Sequence, residues 1–176
     1  MQDKREAVIE PLDEAIDHVR GPGTGTLIVE YGDYECPYSR RAFRAIERVE
    51  ARLSGGVRFA FRHFPLTEIH PHALAASLAA EAAAGQGRFW EMHELLFHRQ
   101  RALEEDDLHG YASELRLDVA RFESDRRGDA ALERVRRDVR SGLASGEVRG
   151  TPTLFIDGVL HRGGYDEEAL LEALTR

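Results

Sequence analysis

The sequence predicts an α/β protein, one β-sheet flanked by helices and interrupted by a helical insertion. Three observations predict it. A strand, a helix and a second strand follow one another between Leu27 and Phe61. A long stretch with helical periodicity follows. Two short strands and a helix then close the chain, from Thr153 onward. One sheet with a helical block inserted between its two halves is the simplest assembly of that order.

Leu27-Ile28-Val29-Glu30-Tyr31 is short, mostly β-favouring and bounded by Gly32-Asp33, the pattern of a buried strand. Pro37 suits the first position of a helix, where its missing N–H costs nothing. From there Phe43, Ile46, Val49 and Leu53 recur at spacings of three and four and form one apolar face, until Gly55-Gly56 stops the helix. Val57 to Phe61 is the second strand and leads into Arg62-His63-Phe64-Pro65. A βαβ unit of this kind normally has parallel strands and a right-handed crossover.

His72 to Ala84 is rich in alanine, the best helix former, and Gly85 and Gly87 end it. Phe89, Trp90, Leu95, Leu96 and Phe97 belong to a second helix. Its aromatic residues read as core joining helices to sheet, with the floor of a groove beside Cys36 as the other reading. Asp106 or Asp107 is expected to cap a third helix to about Leu115, Asp118 a short fourth, and Asp129 a fifth through Val135 and Val139 to Leu143. Thr153 to Ile156 reads as a strand, and Asp157-Gly158 before Val159-Leu160-His161 is a strong hairpin signal. Asp166 caps a last helix with Leu170, Leu171 and Leu174 on one side. The expected organisation is an N-terminal arm at 1–20 (a short helix or an edge arm), a sheet domain formed by 21–68 and 145–176, and a helical insertion at 69–144.

Hydrophobic residues make up 42% of the 176 and charged residues 32%, enough for a packed core and against wholesale disorder. The net charge of −8 disfavours nucleic acid and anionic lipid as partners. No apolar run approaches the ~20 residues that span a bilayer, and Met1 to Glu10 is polar and mixed in charge. The expectation is a cytoplasmic chain with no membrane partner. A single cysteine excludes a disulfide within these residues, which fits a reducing compartment.

Cys36-Pro37-Tyr38-Ser39 stands where the first strand hands over to the first helix. A thiol there faces unpaired backbone N–H groups and the positive end of the helix dipole, both of which favour thiolate. Arg40 and Arg41 add to this, while Asp33 and Glu35 oppose it. Gly150-Thr151-Pro152-Thr153 is the second signal: proline is tolerated at the first position of a strand, and an X–Pro bond is the usual place for a cis peptide, although trans is the ordinary outcome. His63, His70, His72, His93 and His98 have no recognised ligand spacing, and no metal is expected. His70-Pro71-His72 reads more simply as a helix start.

Gly-Asp-Tyr-Glu-Cys-Pro-Tyr after the first strand, Phe-Arg-His-Phe-Pro-Leu and His-Pro-His-Ala at the entry to the helical block, and Thr-Pro before the C-terminal hairpin resemble, in that order, the DsbA-like branch of the thioredoxin superfamily. The resemblance covers nearly all the chain from Asp17 onward and implies the thioredoxin fold with an inserted helical lobe. It implies that Cys36 is the nucleophile, that Pro152 is cis and lies beside it, and that the Thr151 backbone pairs with an extended substrate. Pro37 and Tyr38 would then border the substrate, and Glu30 would be the buried acid that assists proton transfer. The chain departs from the family at Ser39, which stands where the second cysteine of Cys-X-X-Cys usually is. Ser39 can donate a hydrogen bond to a thiolate but cannot resolve a mixed disulfide. The expected function is therefore a monothiol thiol–disulfide oxidoreductase acting on protein or small-molecule disulfides. It would bind no cofactor and use a small-molecule thiol as co-substrate. The alternatives are a glutathione-dependent transferase or isomerase of the kappa type, disfavoured by the retained Cys36, and a redox-silent fold that binds an extended peptide beside Pro152.

Overall fold

The computed structural model of the chain describes residues 9–176; Val8 and the rest of the expected arm before it lie outside them. Five strands form one mixed sheet: β1 (His18–Arg20), β2 (Thr26–Gly32), β3 (Val57–His63), β4 (Thr153–Ile156) and β5 (Val159–Leu160), in the spatial order β1-β3-β2-β4-β5. β2 and β3 run parallel, from Thr26 opposite Val57 to Gly32 opposite His63, joined by α1 (Pro37–Leu53). The remaining pairs are antiparallel. β2 therefore lies at the centre, bonded on both sides, and delivers its C-terminal end directly to Cys36.

The period of two along the strands sorts side chains to two faces. Ile28, Phe59, Phe61 and Leu154 join Phe43, Ile46 and Val49 of α1 in the larger core. Val29, Tyr31, Ala60 and Phe155 face the other way, onto Ile9, Phe64 and Val148. The larger core continues into the helices between β3 and β4: α2 (Ala73–Ala84), α3 (Phe89–His98), α4 (Glu105–Glu114), α5 (Val119–Arg126) and α6 (Asp129–Ala144). α2 is buried through Ala76, Ala79, Ala80 and Ala83, whose small side chains let α3, α5 and α6 approach it closely. Phe89 and Phe97 are core residues, packed against His93, Phe43 and Phe61. α7 (Glu167–Leu174) returns to pack on α1.

Several local expectations need correction. Of the two readings of the arm, the edge arm holds over His18–Arg20, which pairs with β3 as an edge strand. The segment before it is held by Arg62, which donates to both Asp17 oxygens at 2.9 and 3.0 Å and to the carbonyls of Glu10 and Pro11. Burial raises the Asp17 carboxyl, but the bonds from Arg62 and Arg137 outweigh it and bring it down to about 2. Glu104, not Asp106 or Asp107, caps α4, and Asp107 completes the capping box by accepting from the Glu104 N–H. The cap of α6 is Gly128, which places Asp129 one residue inside the helix, where its charge favours the dipole. Asp118 and Asp166 cap α5 and α7 through their side chains. Asp157 and Gly158 both adopt positive φ, the geometry a tight hairpin between β4 and β5 requires.

Candidate functional site

Cys36 is the residue that caps α1, with Pro37 in the first turn behind it. Its backbone N–H closes a turn onto the Asp33 carbonyl at 3.1 Å, and its side chain is 3% exposed. Cys36 Sγ lies 3.4 Å from the Thr151 carbonyl oxygen, and the Thr151–Pro152 peptide is cis. β4 starts at Thr153, and Tyr31 opposite Thr153 sets the register. The antiparallel β2–β4 pairing thus brings residues 115 positions apart into contact. Tyr38 is 55% exposed beside them.

The loop that holds the cysteine is built by buried polar groups. Asp33 accepts the N–H of Glu35 at 2.8 Å and that of Leu66 at 2.9 Å, and pairs with His70 Nδ1 at 2.7 Å. Glu35 accepts from the His72 N–H and contacts His72 Nδ1 at 2.9 Å, which raises that imidazole above its ordinary value. Both carboxylates are therefore committed to the loop between β3 and α2. Ser39 is fully buried and its Oγ accepts the Asp33 N–H at 3.2 Å; no hydrogen bond joins it to Cys36 among the described residues. Gln100 Nε2 donates to the carbonyls of Tyr34 and Cys36 at 2.8 and 2.9 Å, clamping the turn from the end of α3. Asp33 left a signal in the sequence, an Asx residue at a turn. Gln100 left none, because its partners are 64 and 66 positions away.

Glu30 lies beneath this turn on the α1 face of the sheet, fully buried, with no hydrogen-bond partner for either carboxylate oxygen among the described residues. Desolvation pushes its carboxyl up to about 8, against a smaller pull from Arg20. A β-carbon at Gly32 would fall 2.4 Å from the Phe61 ring and 2.9 Å from Glu30 Oε1, so the close approach at this end of β2 requires glycine. His93 is buried nearby among Phe43, Phe61 and Phe97, with Nδ1 2.9 Å from the Tyr34 hydroxyl. Burial holds that imidazole well below its ordinary value. His63 shares Glu81 Oε1 with His18, at 2.7 and 2.6 Å. Those three are the grouping among the described residues close enough to hold a metal, and the carboxylate oxygen is in hydrogen-bond contact with both rings.

A cysteine at the head of a helix, facing a cis-proline loop across a central strand, defines a thioredoxin-fold protein with an inserted helical lobe. The chain belongs to the thioredoxin family: residues 17–176 match the family model described as Thioredoxin. A thioredoxin-like oxidoreductase from Silicibacter pomeroyi DSS-3 superposes with a TM-score of 0.79 at 25% identity, covering 93% of this chain and 92% of that one. Oxidised BdbD from Bacillus subtilis superposes with a TM-score of 0.81 at 20% identity, covering 97% of both chains, and shows the shared fold. The chain is also 46% identical over 169 residues to the Na(+)/H(+) antiporter NhaA 1 of Salinispora arenicola, covering 94% of this chain and 25% of that protein. It spans about a quarter of the length of the curated relatives it matches. No helix among the described residues is long and apolar enough to cross a membrane.

Proposed function

We propose that this chain is a thiol–disulfide oxidoreductase of the DsbA-like kind that works through Cys36 alone and needs an external thiol for turnover. The single observation that carries the reading is Cys36 Sγ at the head of α1, 3.4 Å from the Thr151 carbonyl and next to Pro152. In thiolate form Cys36 attacks a disulfide and forms a mixed disulfide. A second thiol from solution then releases it, because Ser39 supplies a hydroxyl and no sulfur. Pro37, Tyr38, Thr151 and Pro152 border the substrate, and Glu30 takes the role of buried acid beneath the turn. The domain boundaries proposed with it are 21–68 with 145–176 for the thioredoxin-like part and 69–144 for the lobe. The reading concerns these residues and not the antiport for which the longer relatives are named.

The test is intact-mass analysis after treatment with oxidised glutathione at pH 7. One glutathione adduct on Cys36, removed by added thiol and absent in Cys36→Ala, is the expected result. Ser39→Cys should let the adduct collapse within the molecule. Reaction no faster than that of free cysteine would overturn the redox reading. A Ser39→Cys adduct that persists would show that positions 36 and 39 do not face each other.

A further inference from the structure

Arginines cluster on the helix that Cys36 caps. The chain carries −8 at pH 7, yet the first turns of α1 hold Arg40, Arg41 and Arg44, and Arg101 follows α3. The Arg40 guanidinium is held below its ordinary value by burial and then by Arg44 and Arg101. Further along the helix Arg48 and Arg52 share Glu167. Arg41 and Arg44 have no carboxylate within ion-pair distance among the described residues; the Arg41 guanidinium lies 6.0 Å from the Tyr165 ring instead.

Arg41 and Arg44 open onto a recess of about 250 Å³ bounded by Ala45, Arg48, Tyr165 and Asp166. The Asp166 carboxylate is engaged as the cap of α7. Tyr165 is the shared wall between this recess and a second one, of about 360 Å³, lined by Pro152, Thr153 and His161. Tyr165 thus borders both the arginines and the cis-proline. The arginine recess therefore adjoins the one that holds Pro152, and Thr151 beside Pro152 is the residue that Cys36 Sγ touches at 3.4 Å.

We propose that Arg41 and Arg44 form an anion subsite that holds the carboxylate of a small disulfide during exchange at Cys36. The inference rests on the thiol–disulfide reading and names its substrate class. Guanidinium groups pair with carboxylates in a planar, two-pronged geometry, and the recess has room for a short acid but not for a folded segment. The step balances: the Cys36 thiolate forms a new S–S bond with one sulfur of the small disulfide. The old S–S bond breaks, and the other sulfur leaves as thiolate and takes a proton from water. Cys36 is oxidised and the departing thiol is reduced. The negative surface elsewhere repels anions, so the subsite selects acids at the one place where exchange occurs.

The test uses the full chain and the rate of adduct formation on Cys36 with two probes, dithiodipropionate (anionic) and hydroxyethyl disulfide (neutral). The ratio of the two rates cancels changes in the sulfur itself. Arg41→Gln with Arg44→Gln should lower the anionic-to-neutral ratio about fivefold to tenfold, the size two exposed ion pairs provide, and added salt should erase the difference. Arg136→Gln with Arg140→Gln on α6 removes the same net charge elsewhere and should leave the ratio unchanged. An unchanged ratio in the α1 variant, or an equal fall in the α6 variant, overturns the subsite. If hydroxyethyl disulfide itself fails to react, the thiol–disulfide reading falls first and takes the subsite with it.

Discussion

Glu30 on β2 and Glu81 on α2 are both removed from water, and the protein treats them in opposite ways. Glu30 has no hydrogen-bond partner among the described residues, and desolvation pushes its carboxyl up to about 8. Burial also pushes Glu81 upward, but the bonds from His18 and His63 outweigh it and hold the carboxyl well below the usual range. The two charges therefore act on stability in different pH windows. Glu81 joins β1, β3 and α2 and serves the fold. Glu30 destabilises the ionised protein, a cost retained directly beneath the cysteine turn. The difference teaches that burial alone decides little: partners set the direction of the shift.

The largest effect is expected from Glu81→Ala. Removing the carboxylate leaves the buried His63 and the part-buried His18 without their shared acceptor, and a loss of about 3–5 kcal/mol is expected in urea unfolding at pH 7. A loss below ~1 kcal/mol would mean that the triad does not tie β1 to the lobe. In the intact protein, the stabilisation from Glu81 should be present above about pH 4.5 and fall away as acid is added below it.

Glu30 gives an effect of the opposite sense that is spread over pH. Its folded value of about 8 lies above the ordinary 4.5, so between those values the folded state binds a proton that the unfolded state has released. Stability should therefore fall as pH rises from about 4.5 to about 8, by at most ~1.4 kcal/mol per pH unit. Glu30→Gln should flatten that slope and stabilise the protein at pH 8 relative to the parent. Parallel unfolding curves for parent and variant at pH 5 and pH 8 would show that Glu30 finds a partner in solution.

The smallest effect is expected at Tyr34, whose hydroxyl meets His93 Nδ1 at 2.9 Å. Tyr34→Phe leaves that nitrogen without its partner and should cost about 1–2 kcal/mol, with the near-ultraviolet signature of the aromatic core preserved. A larger loss would place Tyr34 with Glu81 as a structural tie.

The β2–α1–β3 unit, the C-terminal hairpin and the caps at Asp118 and Asp166 were legible because each depends on residues within a few positions of one another. So was the pairing of a helix-capping cysteine with a Thr-Pro loop, through the family resemblance. The cap of α4 was misplaced by two to three residues because several acidic neighbours compete for one position, and that of α6 by one because Gly128 takes the cap and leaves Asp129 in the first turn. The arm stayed open between helix and edge arm because its strand is formed by pairing with β3, about forty positions away, and not by its own propensity.

Composition, periodicity and turn chemistry by themselves determined the class of fold, the place of Cys36 at a helix start and the absence of a second cysteine within these residues. Only the tertiary structure decided what surrounds Cys36: Gln100 clamping its carbonyl, Thr151 at 3.4 Å from its sulfur, and Tyr165 bordering both the recess of Pro152 and that of Arg41 and Arg44. The same holds for the opposite fates of Glu30 and Glu81. Local patterns report the conformational preferences of neighbouring residues, whereas hydrogen-bond partners and desolvation are set by side chains that the chain path brings together from distant positions.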